Sequence, residues 1–95
     1  MQITDYIPYG HEKAVTRETL CQLTGMNDRA VRQRIENAQR SGTVILNLQD
    51  GAGYFQSDDI EEMHLYYRQE KSRALSMLAK QKGIRRRLKE AGYDV

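Results

Sequence analysis

The chain has 95 residues, enough for one domain with a small core; 29% of them are charged, and the mean hydropathy is −0.78. The formal net charge is only +2, and the single cysteine, Cys21, excludes an internal disulfide framework and agrees with a reducing compartment. No apolar run exceeds three residues (Val44-Ile45-Leu46), and Met1-Gln2-Ile3-Thr4-Asp5 lacks a basic segment followed by an apolar one, so neither a membrane span nor a secretory signal is expected and the expected location is the cytoplasm.

In chain order, Ile3, Tyr6 and Ile7 form the apolar side of a short turn that Pro8 and Gly10 end. Ala14-Val15 reads as a short extended piece able to pair with a later strand. Thr16 is a good N-cap, with Glu18 in the first turn, for a helix through about Thr24 whose buried face is Leu20 and Leu23. Gly25 stands where a helix needs a left-handed residue to stop. Asn27 caps a second helix, running 27–41, with Asp28 in its first turn and Val31, Ile35 and Ala38 on one face. Arg29, Gln33, Glu36 and Arg40 lie roughly opposite, flanked by Arg32, and Gly42 closes the helix. Residues 43–48 and 54–55 then read as two strands around a tight glycine-permitted tip, Asp50-Gly51-Ala52-Gly53, with Tyr54 in the core.

Ser57 or Asp58 caps a long helix whose first turn holds Glu61 and Glu62. Its apolar stripe is Ile60, Met63, Tyr67, Ala74 and Leu78, broadened by Tyr66, Leu75 and Met77 and interrupted by Glu70 and Lys71. Gly83 ends or kinks it, and Ile84 to Ala91 form a short basic helix closed by Gly92. The chain thus divides into residues 1–57, a helix-turn-helix at 16–41 with a hairpin at 43–56, and a helical extension at 58–95. Lys and Arg balance Asp and Glu in 1–57, six against six, and in 58–82, five against five; the excess lies in 83–95, four against two.

Residues 15–56 resemble the winged helix-turn-helix domain at the front of biotin-operon repressors and related bacterial and prophage regulators. The matching pattern is Thr16-x-x-x-Leu20, Leu23-Thr24-Gly25-Met26-Asn27, Arg29-Ala30-Val31-x-x-x-Ile35, Ser41-Gly42-Thr43-Val44-Ile45 and Gly51-Ala52-Gly53-Tyr54. The resemblance implies a mainly α fold with a small β-hairpin, a winged helix-turn-helix followed here by a long C-terminal helix. It also implies sequence-specific binding of double-stranded DNA, in transcriptional regulation or a phage DNA transaction, in a nucleoid-associated protein. The chain departs from the pattern in residues 1–12, which cannot supply the usual full first helix; the helix after Ser57, or a second subunit, is expected to fill that position.

In this frame Arg29, Arg32 and Gln33 are the candidate base contacts, since arginine reads guanine and glutamine reads adenine in the major groove. The competing reading is a solvated polar helix face. Asn27, Arg34 and Arg40 suit phosphates, which position without specifying sequence. Arg85, Arg86 and Arg87 form either a phosphate-binding arm or a solvated terminal helix. Glu36 would repel phosphate unless it pairs with Arg32 or Arg40 at four-residue spacing. No Lys or Arg lies between Thr43 and Ser57, so the wing is expected to add little beyond Gln49 and backbone N–H groups.

Ile60, Met63, Tyr67, Ala74 and Leu78 are the candidate homodimer interface, because a helix of about 25 residues spans about 37 Å and overhangs so small a domain. Packing in cis is the alternative. Cys21 suits close helix packing, and His11 and His64 have no metal-ligand neighbours at useful spacing. No nucleophile–base pair or phosphate loop is present, so neither an enzyme, a cofactor nor a small-molecule ligand is expected. The alternative function is a protein–protein adaptor that uses the winged helix and the long helix without DNA.

Overall fold

The computed structural model describes residues 2–95, and they form a mainly helical protein with one small antiparallel sheet. After two short 3-10 segments, Ile3–Tyr6 and His11–Lys13, come α1 (Arg17–Thr24), α2 (Asp28–Arg40), β1 (Ile45–Leu46), β2 (Phe55–Gln56), α3 (Ile60–Lys80) and α4 (Lys82–Glu90). No helix among the described residues is long and apolar enough to cross a membrane.

The helix-turn-helix follows from its caps. The Thr19 N–H donates to Thr16 Oγ1 at 3.2 Å and the Ala30 N–H to Asn27 Oδ1 at 2.8 Å, so each helix starts where an orphan N–H finds a side-chain acceptor. Between them Gly25 adopts φ 74°, the left-handed value that stops α1. Leu20, Val31 and Ile35 are buried where the two helices meet, with Cys21 and Ala38 packed against them. Leu23 does not join them and is 55% exposed. The helix ends at the Gly25 cap, and Met26 from the turn packs on the core, so the last turn of α1 overhangs the edge.

The position expected to be empty is filled by the N-terminal segment, and neither α3 nor a partner is needed there. Ile3 and Ile7 are buried at 5% and 2% exposure and join Leu20, Val31, Ile35 and Ile45 in one cluster, with Tyr6 packed against it. Short 3-10 turns do this because their apolar residues anchor on α1 and α2 without a full helix beneath them. Gln56 fastens the segment: its side-chain amide donates to the Thr4 and Ile7 carbonyls at 3.1 and 2.8 Å, and its N–H donates to the Pro8 carbonyl at 2.8 Å.

The hairpin pairs Ile45 with Gln56 and Leu46 with Phe55. Val15 bridges Tyr54 as an additional antiparallel partner, as expected of that extended piece, with bonds of 2.9 and 2.7 Å. The connection is wider than a tight turn: residues 47–54 separate the strands, with positive φ at Gln49, Gly51 and Gly53. Asn47 and Asp50 hold this loop by accepting from the Gln49 and Ala52 N–H groups at 3.0 Å each. Gly53 is buried, with φ 102°, and a Cβ there would run into the Val15 carbonyl. Tyr54 packs against the core but is only half-buried.

The cap of α3 is Asp59, whose carboxylate accepts from the Glu61 and Glu62 N–H groups, in place of Ser57 or Asp58. Ser57 is buried and engaged elsewhere, donating to Glu62 Oε1 at 2.8 Å and accepting from the Asp59 N–H at 3.0 Å. The break between α3 and α4 falls at Gln81; Gly83 lies inside α4 with ordinary helical geometry.

Candidate nucleic-acid interface

Only Val31 and Ile35 of α2 are buried, so the side turned away from the core is polar along its whole length. Arg29, Gln33, Glu36 and Arg40 project from it, all exposed. The Arg29 and Arg40 side chains have no hydrogen bond or ion pair among the described residues, whereas Gln33 Nε2 donates to Asn37 Oδ1 at 3.0 Å along the same helix. Arg32 lies at the edge of this face, its Nε 3.2 Å from Asp28 Oδ2. Asp28 also receives the Arg17 Nε at 2.7 Å, so one carboxylate steadies an arginine from each helix of the motif. Both pairs are roughly half exposed, and such contacts contribute about 0–1 kcal/mol. They orient Arg32 but release it at little cost. The Tyr54 hydroxyl and the Asp28 carboxylate hold the Arg17 guanidinium above its ordinary pKa, so it stays charged at any working pH.

Glu36 forms no ion pair with Arg32 or Arg40 among the described residues; Arg32 turns back to Asp28, nearer the helix start. Asn27 uses its carbonyl oxygen as the cap, which leaves its amide N–H groups outward. Arg34 is also exposed but sits toward the N-terminal segment, bordering a shallow groove with Thr4, Asn37 and Ser41.

The other side of α2 is bounded by α3. Gln39 Nε2 donates to the Ile45 carbonyl at 2.8 Å and to Tyr66 Oη at 3.0 Å, tying α2, β1 and α3 together. Burial pushes the Tyr66 phenol above its ordinary pKa, partly offset by the Gln39 contact, which keeps it protonated. Glu70 and Arg73 of α3 therefore line one groove with Arg32 and Glu36 of α2 and Asn47 and Gln49 of the wing. Arg73 is a basic group beside α2 that is absent from the residues expected at this site. Its signal is the polar row Glu62, Tyr66, Gln69 and Arg73, spaced like one helix face, which reading for apolar stripes passes over.

The wing carries Asp50, whose Oδ2 meets His11 Nε2 at 2.5 Å, while the His11 ring stacks on Phe55 at 4.9 Å. The Ala52 N–H, and then His11, hold the Asp50 carboxyl below the usual aspartate range. The tip of the wing is therefore acidic and tethered to the N-terminal segment.

Arg85, Arg86 and Arg87 are not gathered with these groups, since α4 contacts no element other than α3. Arg85 donates to the Val95 carbonyl at 3.3 Å, and all three are exposed. Along α3, Ile60, Tyr67 and Leu78 are 74%, 58% and 60% exposed, Ala74 is exposed and Met63 is half-buried. No group of three or more His, Cys, Asp or Glu side chains gathers among the described residues. Comparison with protein-family models, with curated proteins and with solved structures finds no match.

Proposed function

We propose that this chain binds double-stranded DNA with sequence preference, as a transcriptional regulator or a prophage DNA-transaction protein, by seating α2 in a major groove. The observation that carries this reading is the outward face of α2. It is polar from end to end, holds Arg29 and Arg40 without partners, and follows a tight Gly25 turn beside a hairpin. Arg29, Arg32 and Gln33 stand on its N-terminal half, which in helix-turn-helix proteins contacts base edges. Asn27, Arg34 and Arg40 flank them and suit phosphates, and Arg73 adds a cation from α3. Arg85, Arg86 and Arg87 serve as a separate phosphate-binding arm on this reading. The test is a gel shift on DNA selected from random sequence. Replacing Arg29 and Arg32 together by alanine is expected to weaken binding by about thirtyfold or more and to relax base preference, as each bidentate contact discriminates by about 1–3 kcal/mol. Unchanged affinity and preference would end the base-reading assignment.

A protein adaptor is the second reading, favoured by the acidic wing tip at Asp50 and by the balance of charge over residues 1–57. Salt separates the two, because binding through phosphates weakens steeply as salt rises and an apolar helix interface does not.

A further inference from the structure

The even charge of residues 58–82 conceals a polarity. Over 58–70, Asp58, Asp59, Glu61, Glu62 and Glu70 stand against Arg68 alone, whereas 71–90 holds eight Lys and Arg against Glu90 alone. The arm formed by α3 and α4 is therefore acidic at one end and basic at the other. It rests on the domain through the half-buried Glu62, Tyr66 and Gln69. At 100° per residue, the stripe of Ile60, Tyr67, Ala74 and Leu78 points about a third of a turn away from that face, into solvent. Leu75, Met77 and Ile84 widen the apolar surface, at 56%, 62% and 64% exposure. The chain exposes 7311 Å², against roughly 5,600 Å² for a compact protein of its mass. The excess, roughly 1,700 Å², is more than the ~800 Å² that each partner brings to a standard interface.

We propose that a second copy of this chain covers the stripe, with its α3 antiparallel to the first and the two-fold axis at Glu70 and Lys71. In that register Glu70 of one copy faces Lys71 of the other, so the two charges that interrupt the stripe become partners. Tyr67 faces Ala74, a ring over a methyl group, and Met63 faces Leu78. Farther out, the acidic first turns of one copy run alongside the basic last turns of the other, and the opposed helix dipoles add to the attraction. A parallel copy sets Lys71 against Lys71, Tyr67 against Tyr67, and each end against its own charge. This pairing stands apart from the DNA-binding reading and holds for an adaptor equally.

The test uses the full chain in a Cys21→Ala background. Tyr67→Cys and Ala74→Cys proteins are made separately, mixed and oxidised, and sedimentation is run on the unsubstituted protein. The expected results are a dimer at micromolar concentration and a disulfide that forms mainly between the two different variants. Glu70→Lys is expected to weaken self-association about tenfold and Glu70→Lys with Lys71→Glu to restore it, since two exposed ion pairs change per dimer. Like-with-like disulfides in each separate variant, or a monomer at the highest soluble concentration, would overturn the proposal.

Discussion

Residues 2–57 and the arm that follows them solve opposite problems with similar apolar side chains. Among the described residues, all eight buried apolar side chains, from Ile3 to Phe55, lie in the first region, while α3 and α4 bury none. The domain closes its core with pieces as short as a 3-10 turn and a two-residue strand, by crossing them over one another. The arm has the more regular secondary structure, 21 residues of unbroken helix, yet it meets the domain mainly through polar side chains. Regular local structure and a buried core are therefore separate achievements here. The contrast also explains the elongated form: a Cα radius of gyration of 17.1 Å, against about 12 Å for a compact domain of this length.

The sharpest way to break the comparison is to remove one apolar side chain from each region. Phe55→Ala, at a fully buried site, is expected to cost roughly 3–5 kcal/mol and to leave the domain largely unfolded. Leu78→Ala, at 60% exposure, is expected to change the unfolding free energy in dilute solution by under about 0.5 kcal/mol. Urea titration followed by far-ultraviolet circular dichroism measures both, and equal effects would erase the distinction.

Glycine gives a second, smaller contrast. Gly53→Ala places a methyl group on the Val15 carbonyl at a left-handed φ and is expected to destabilise by roughly 2–3 kcal/mol. Gly83→Ala lies in open space within α4 and is expected to stabilise that helix by about 0.5–1 kcal/mol, visible as higher helicity. The same substitution thus changes sign between the two regions.

The smallest expected effect is at the wing. The fold favours the charged form of Asp50, so its contribution is present above the ordinary aspartate value of 3.8 and is lost as pH falls through the lowered one. Protection of the amides of residues 50–54, measured against the intrinsic exchange rate at each pH, is expected to fall in that acid window, and Asp50→Asn to remove that fall.

The parts of the fold legible in sequence are those made by neighbours. Thr16, Gly25 and Asn27 act within three or four residues, so the helix-turn-helix and its termini can be read from capping chemistry alone. Distant partners decide the remainder. Nothing within twelve residues of Ile3 indicates that it will meet Leu20 and Val31, and the expectation that α3 or a partner fills that place fails for this reason. Asp59 displaces Ser57 as a cap because Ser57 is buried against Glu62, a consequence of how α3 leaves the sheet. Of the candidate site, Arg29, Arg32 and Gln33 are legible because helix periodicity places them on one side of α2. Arg73 and the Asp28 link between Arg17 and Arg32 are not, since they depend on how helices cross.

Gln56 sets an order of events on the ribosome. The carbonyls of Thr4 and Ile7, to which its side chain donates, precede it by 52 and 49 residues. That segment emerges long before the strand that fastens it, so α1 and α2 are synthesised while Ile3 and Ile7 still lack their anchor. Domains fold as units during synthesis, and this one is complete only once Phe55 and Gln56 have left the exit tunnel.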